Sequence, residues 1–152
     1  MTPDATPTDA RHPETIVAGV DGSAASLEAL DWAAWQAALT HSPLEIVMTW
    51  DWPVTYGWAV PLPPEFNPEE SVRTTLEEAA AGLRATYPDL KITTRVVQGH
   101  PAPALVEASK AAKLLVVGSR GHGEFVGMLL GSVGEHCAAY AHCPVLVHRA
   151  IH

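Results

Sequence analysis

The apolar run at residues 114–117, Leu-Leu-Val-Val, constrains the fold of this chain more than any other feature of its sequence. A strand without polar alternation is typical of a parallel sheet that is buried on both faces. Glycines follow the run at Gly118, Gly121 and Gly131, and Ser132 with Glu135 then has the spacing of a helix start. The segment therefore predicts a buried strand that leads through a glycine-spaced loop into a helix N-terminus.

This glycine-spaced loop is suited to an anionic ligand. Glycine permits positive φ and a close approach of the backbone to a ligand. The N–H groups and the positive dipole end of the following helix favour an anion. The pattern predicts a phosphate site, although it lacks the lysine of a P-loop and is not the G-x-G-x-x-G dinucleotide fingerprint.

The rest of the chain alternates strand-like and helix-like segments. Apolar runs predict strands at residues 16–20, 44–50, 92–97 and 144–148, besides the run at 114–117. Helical spacing predicts helices at residues 26–39, 68–87 and 133–141, and a further helix after Pro101 that contains Ala104, Leu105, Ala108 and Ala112. Such alternation implies right-handed crossovers and a parallel sheet that helices cover on both faces.

Residues 51–67 interrupt this alternation with four prolines and four aromatic residues, so they are predicted to form a long loop. The loop is interpreted as a lid or a partner surface, with a solvent-exposed loop as the alternative. Asn67, Pro68 and Glu70 then supply a helix cap, a first-position proline and an acidic first turn.

Composition limits the class of protein. A chain of 152 residues with 47% apolar and 17% charged residues is expected to form one globular domain. The net charge is −8, and the nine lysines and arginines are spread singly, which argues against binding to nucleic acid. No apolar run approaches the roughly 18 residues of a membrane span.

The chain start and the cysteines indicate a compartment. Residues 1–13 lack a basic start and an apolar middle, so they are predicted to be a flexible tail rather than a signal peptide, and residues 14–152 to be the domain. Cys137 and Cys143 are interpreted as reduced thiols in the cytoplasm.

Several blocks of the chain resemble the universal stress protein family. They are residues 16–23 with the first strand and its aspartate, residues 116–123 and 129–133 around the glycine loop, residues 143–147, and Gly99 with Pro101. The glycine spacing matches the family's ATP-binding pattern, Gly-x2-Gly-x9-Gly-Ser/Thr, at every fixed position. The resemblance spans about residues 15–149.

The resemblance implies an α/β fold and a ligand. The fold would be a three-layer sandwich with a five-stranded parallel sheet in the order 3-2-1-4-5, of the adenine nucleotide alpha hydrolase-like type. The ligand would be ATP, alone or with Mg²⁺, and the protein would be a homodimer joined through the last strand. The expected site residues are Gly19, Val20, Asp21, Trp50, Gly99, Val117, Gly118, Ser119, Arg120, Gly121, His122, Gly123, Gly131, Ser132 and Val133.

The resemblance also implies roles for these residues. Gly118, Gly121 and Gly131 would bring main-chain N–H groups close to the phosphates, and the N–H groups of Ser132 and Val133 would complete that cradle. Asp21 would accept hydrogen bonds from the ribose hydroxyls or the adenine amino group. Val20, Trp50 and Val117 would form an apolar slot around the base.

Structural alternatives stay open for several of these residues. Asp21 could simply cap the following helix, and Ser132 could form a capping box with Glu135. The indole of Trp50 could stack on adenine or fill part of the pocket. Arg120 could pair with a phosphate or be solvated, and the same two alternatives apply to His122.

Catalysis and metal binding find little support in the sequence. The pairs His136, Cys137 and His142, Cys143 invite a zinc hypothesis, but their spacing on a helix is poor and buried thiols are favoured. No nucleophile elbow is present, and the parts for efficient phosphoryl transfer are missing. We expect an ATP-binding, stress-response regulator; the alternatives are a weak ATPase and a cyclic-nucleotide (cAMP) sensor.

Overall fold

Parallel strands form the central sheet of the protein in a computed structural model that describes residues 13–52, 54–55, 58–59, 63–119 and 130–149. In chain order, the elements are β1 (Thr15–Val20), α1 (Ala24–Leu39), β2 (Leu44–Trp50), β3 (Val54–Thr55), β4 (Trp58–Ala59), α2 (Pro68–Thr86), β5 (Ile92–Gln98), α3 (Pro101–Ser109), β6 (Ala112–Gly118), α4 (Ser132–Tyr140) and β7 (Val145–His148). The predicted tail falls on residues of which only Pro13 is described.

The central sheet has five strands in the order β5-β2-β1-β6-β7. Numbered along the chain, this order is 3-2-1-4-5, so the predicted topology is confirmed. All four neighbouring pairs are parallel. Strand order reverses at β1, whose neighbours are β2 and β6, and this reversal is where ligands bind in open α/β sheets.

Alternation along the strands divides the core between the two faces of the sheet. Ile16, Ala18 and Ile46 belong to one buried cluster, together with residues of α1 and α2. Val17 and Val47 belong to the other cluster, together with residues of α3 and α4. Successive side chains of a strand point to opposite faces, so the position of a residue within its strand decides which pair of helices it meets.

Side-chain caps fix the start of the two long helices. The Ser23 hydroxyl oxygen accepts the N–H of Ser26 at 3.2 Å and caps α1. The Asn67 side chain accepts the N–H of Glu70 at 3.2 Å and caps α2, with Pro68 in the first turn. The cap predicted at Asn67 is confirmed. Among the described residues, no helix is both long and apolar enough to cross a membrane.

Two predicted elements differ from the observed ones. The third helix was expected to include Ala112, but α3 ends at Ser109 and Ala112 is a buried residue of β6 opposite Thr15. Alanine is compatible with a helix or with a strand, and the pairing of Ala112 with β1 places it in a strand. The predicted loop at 51–67 contains a small antiparallel sheet of β3 and β4, since Val, Thr and Trp favour strands despite the surrounding prolines.

Candidate functional site

The turn after β1 holds Asp21 at the carboxyl edge of the sheet. Gly22 has a φ of 86°, a left-handed conformation that favours glycine. The Asp21 carboxylate accepts the N–H of Ser23 at 2.8 Å, and the Asp21 N–H donates to the Ser26 hydroxyl at 3.2 Å. Ser23, rather than Asp21, occupies the N-cap position of α1. The Asp21 carboxylate accepts its hydrogen bond within the turn that precedes the helix.

A cleft opens beside this turn, between the ends of β1 and β6. Its lining includes six of the expected site residues, from three separate parts of the chain: Gly19, Val20, Asp21, Val117, Gly118 and Val133. The other lining residues were not predicted: Ser26, Val47, Thr49, Pro101 and Leu105. The fold therefore brings the Asp21 turn, the end of β6 and the start of α4 together at one place.

The cleft is small and mostly apolar in its walls. Its volume is about 60 Å³, whereas pockets for small molecules usually measure roughly 300–1,000 Å³. It can accommodate only part of a nucleotide, such as an edge of the base. The described residues therefore form the floor of a site rather than a complete pocket.

Backbone hydrogen bonds close the base of the glycine loop. The N–H of Gly131 donates to the carbonyl oxygen of Ser119 at 2.6 Å, and the N–H of Ser119 donates to the carbonyl oxygen of His148 at 2.9 Å. Ser119 itself is buried. The amide of Gly131 is thus bonded within the protein.

The start of α4 differs by one residue from the prediction. Gly131 occupies the N-cap position without a side-chain capping bond, and Ser132 is the first helical residue. The capping-box alternative for Ser132 and Glu135 required Ser132 at the N-cap, and the structure places Gly131 there. The first turn of a helix leaves N–H groups without intrahelical acceptors, and Val133 in this turn lines the cleft.

Close packing explains two glycines of the site. A Cβ atom on Gly19 would lie 2.6 Å from the Cδ1 atom of Leu105, so this glycine lets α3 pack against β1. A Cβ atom on Gly134 would lie 2.7 Å from Cδ1 of Leu130. Gly134 was not predicted to have a role.

Trp50 is not among the residues that line the cleft, and Thr49 is. Residues Ile46 and Met48 of β2 point into the cluster beneath α1 and α2, and Trp50 continues this alternation. Its indole packs edge-to-face on Trp52, with 5.6 Å between ring centroids. Strand geometry thus places Thr49 on the cleft side of β2 and Trp50 on the opposite side.

Gly99 lies at the turn between β5 and α3, outside the cleft lining. Its φ is 126°, which a residue with a side chain rarely adopts, and its N–H donates to the carbonyl oxygen of Trp50 at 2.8 Å. Gly99 thus ties the turn to the end of β2, and Pro101 reaches the cleft instead. The expected residues Arg120, Gly121, His122 and Gly123 lie outside the described residues.

Cys137 lies in α4 and belongs to the buried cluster beneath α3 and α4, and Cys143 follows the helix and packs against that cluster. Both thiols are free; Cys137 is buried and Cys143 is half-buried. Burial, with a smaller contribution from the Cys143 thiol, raises the pKa of Cys137 to about 11. Burial also raises the pKa of Cys143. Among the described residues, no three side chains of His, Cys, Asp or Glu are grouped so that they could hold a metal ion.

A larger cavity, of about 440 Å³, lies at the opposite edge of the sheet. It is lined by the ends of α1 and α2 and the turns after them, including His41, Tyr87 and Lys91. This edge carries the amino ends of the parallel strands, whereas ligands of such sheets bind at the carboxyl ends. We therefore assign the candidate site to the smaller cleft.

Comparisons with known sequences agree with this geometry. The sequence profile of the universal stress protein family matches residues 13–149. A universal stress protein of Mycolicibacterium smegmatis is 40% identical over 142 residues, which are 93% of this chain and 47% of that protein. One from Mycobacterium tuberculosis is 38% identical over 151 residues, 91% of this chain and 46% of that protein. The chain thus spans about half the length of these curated relatives.

Solved structures give the same assignment. A universal stress protein in complex with cAMP has a TM-score of 0.68 and 32% identity, with 91% of this chain and 98% of that chain covered. The universal stress protein from Archaeoglobus fulgidus in complex with dAMP has a TM-score of 0.61 and 19% identity, covering 89% and 96%, and supports the fold alone. With its strand order, its glycine spacing and the profile match over nearly its whole length, this chain belongs to the universal stress protein family.

Proposed function

We propose that this chain binds an adenine nucleotide in the cleft beside the Asp21 turn, and that ATP, alone or with Mg²⁺, is its ligand. The observation that carries the proposal is the meeting of Asp21, Val117, Gly118 and Val133 where strand order reverses. Nucleotide occupancy, rather than turnover, would regulate a stress response. We place this role in the cytoplasm, with no part for nucleic acid or membranes.

The chemistry of the cleft suits the parts of a nucleotide. Val47, Leu105 and Val117 give an apolar floor for the edge of a purine. The Asp21 carboxylate is an acceptor for the N–H and O–H donors of adenine and ribose. The N-terminus of α4 favours negative charge, which supports a place for the phosphates near Val133.

A cyclic-nucleotide sensor is the second candidate. It is favoured by one observation, the relative of 32% identity that was solved in complex with cAMP. A cyclic phosphate has one negative charge and no extended phosphate tail, whereas ATP needs room for three phosphates. Calorimetric titration of nucleotide-free protein with ATP, AMP and cAMP separates the two candidates by the rank order of dissociation constants.

Asp21 gives the sharpest test of the site. In Asp21→Asn an amide oxygen can still accept the N–H of Ser23, but the second carboxylate oxygen and the charge are lost. We expect ATP to bind about tenfold more weakly or worse, because a charge-assisted hydrogen bond contributes about 1.5–3 kcal/mol. The melting temperature, measured on the same samples, shows whether the variant keeps its fold.

Asp51→Asn is the matched control. Asp51 follows β2 at the same edge of the sheet, and its carboxylate also accepts a main-chain N–H, that of Trp52 at 2.9 Å. It is exposed and outside the cleft lining. Equal binding of ATP by both variants and the wild-type protein would place the nucleotide elsewhere.

We also propose that two copies pair through β7. This strand is the edge of the central sheet, next to β6 only, and edge strands present unpaired N–H and C=O groups. Light scattering over a range of concentrations measures the assembly. A mass of one chain throughout that range would contradict the homodimer.

A further inference from the structure

Thr49 lies next to Asp21 at the carboxyl ends of two neighbouring strands. Val20 of β1 pairs with Met48 of β2, so the residues that follow them, Asp21 and Thr49, lie at the same level of the sheet. Val47 belongs to the cluster beneath α3 and α4, and alternation along β2 gives the Thr49 side chain the same face. Both Asp21 and Thr49 line the proposed nucleotide cleft.

The other two polar side chains of the described cleft lining, those of Asp21 and Ser26, have no proton to give to a ligand. The Ser26 hydroxyl donates to the carbonyl oxygen of Ser23 at 3.0 Å and accepts the N–H of Asp21 at 3.2 Å. The Asp21 carboxylate is an acceptor, and it accepts the N–H of Ser23 at 2.8 Å. Neither side chain therefore supplies a hydrogen-bond donor to a ligand in the cleft.

The Thr49 hydroxyl, in contrast, has its donor available. Thr49 is half-buried, and its hydroxyl forms no hydrogen bond with any residue that the structure describes. Its neighbours in the cleft include Val47, Leu105 and Val117, whose side chains cannot form hydrogen bonds. A hydroxyl that loses water against such apolar walls is unfavourable unless it gains another partner. A ligand with an acceptor at this position would supply that partner.

Adenine carries acceptors on the edges that could enter so small a cleft. A volume of about 60 Å³ admits an edge of the base rather than the whole ring. The ring nitrogens N1, N3 and N7 each present a lone pair in the plane of the base, and a hydroxyl can donate to any of them. The wall at Thr49 is therefore complementary to a ring nitrogen of adenine.

We propose that Thr49 determines the specificity of the nucleotide site by donating a hydrogen bond from its hydroxyl to a ring nitrogen of the adenine base. The inference rests on the proposed function, since it needs a nucleotide in this cleft. Val47 and Leu105 give the edge of the base apolar contact, and Thr49 fixes its orientation. A base without an acceptor at that edge leaves the hydroxyl unpaired and binds more weakly.

Two substitutions at Thr49 separate the hydroxyl from the shape of the side chain. Thr49→Val removes the hydroxyl but keeps the branched shape and the strand preference, so ATP should bind about tenfold more weakly. Thr49→Ser keeps the hydroxyl, and its affinity for ATP should stay within about threefold of the wild-type value. Calorimetric titration of nucleotide-free protein measures both variants.

Thr93→Val is the matched control for the loss of a hydroxyl. Thr93 lies on β5, is exposed and is outside the described cleft lining. The same chemical change there should alter ATP affinity less than about twofold, because surface substitutions away from a site have small effects.

Analogues of ATP in which a C–H group replaces one ring nitrogen identify the atom that Thr49 contacts. They are 1-deaza-ATP, 3-deaza-ATP and 7-deaza-ATP. We expect the wild-type protein to bind one of them about tenfold more weakly than ATP, because that analogue lacks the acceptor. Thr49→Val should weaken ATP and the other two analogues about tenfold, and that one analogue less than about twofold, as in a double-mutant cycle between contacting groups.

Three outcomes would overturn the inference. Equal affinity of the wild-type protein and Thr49→Val for ATP would show that the hydroxyl makes no contact, although the proposed function would stand. Equal weakening of ATP and all three analogues by Thr49→Val would place the hydroxyl against the sugar, the phosphates or the amino group. A wild-type protein that binds no adenine nucleotide would overturn the proposed function and this inference with it.

Discussion

The two faces of the central sheet are covered very differently. Helices α1 and α2, of 16 and 19 residues, cover one face, whereas α3 and α4 have nine residues each. The buried cluster on the α1–α2 face includes five residues of α1 that are nearly inaccessible: Ala29, Leu30, Ala33, Ala34 and Ala37. The cluster on the α3–α4 face is smaller.

This difference fits the side of the sheet on which the proposed ligand would enter. The short helices α3 and α4 begin at Pro101 and Ser132, and Pro101 and Val133 line the cleft at the carboxyl ends of β1 and β6. The longer helices seal the other face. We infer that the α1–α2 face mainly stabilises the fold and that the α3–α4 face mainly provides the binding site. Each of the following variants tests that division.

The largest effect is expected from Leu76→Ala on the α1–α2 face. Leu76 of α2 is fully buried, and removal of a buried leucine side chain usually lowers the free energy of unfolding by about 2–5 kcal/mol. Denaturant unfolding measures the loss. ATP affinity of the folded fraction should be nearly unchanged, and a parallel loss of affinity would contradict the division between the faces.

A smaller loss is expected from Gly19→Ala on the α3–α4 face. The new methyl group would lie 2.6 Å from Leu105, and such overpacking typically lowers stability by about 1–3 kcal/mol. Gly82→Ala in α2 is the matched control, since a Cβ atom there meets nothing within 4 Å. It should raise stability by roughly 0.5–1 kcal/mol because alanine favours a helix more than glycine does. If Gly19→Ala is neutral, Leu105 is not tightly packed.

Thr49 and Trp50 are neighbours in β2 that face opposite sides of the sheet, so substitutions at these two positions compare the two faces in ligand binding. Thr49→Leu adds volume to the wall of a cleft of about 60 Å³ and should weaken ATP binding about tenfold, equivalent to about 1.4 kcal/mol. Trp50→Leu changes the next residue, on the opposite side of the strand, and should alter affinity less than about threefold. Calorimetry on both variants measures the contrast. If Trp50→Leu weakened ATP binding more than Thr49→Leu does, the adenine base would be assigned to the side of Trp50.

The smallest effect is expected at the far end of the α3–α4 face. There Arg95 of β5 and Glu45 of β2 form a partly exposed ion pair at 3.0 Å. Exposed pairs usually contribute about 0.2–1 kcal/mol. A double-mutant cycle with Arg95→Met and Glu45→Gln measures the coupling. A coupling free energy above about 2 kcal/mol would show that this part of the α3–α4 face contributes more to stability than an exposed ion pair usually does.

Much of the architecture was predictable from local patterns. The apolar runs of β1, β2 and β6 are each bounded by turn residues, and the cap at Asn67 is a local hydrogen bond. The order of the strands followed from the family resemblance, which rests on the glycine spacing. The prediction failed at Ala112, where helix and strand are both compatible with alanine and pairing with Thr15 decides.

The sequence by itself determined the alternation of strands and helices, the parallel sheet and the helix that follows Gly131, because these depend on residues close together in the chain. Only the tertiary structure decided that Thr49 rather than Trp50 reaches the cleft, that Gly19 makes room for Leu105, and that the amide of Gly131 bonds to Ser119. The physical reason is that each of these depends on distances between segments far apart in sequence, which strand pairing and helix packing set together.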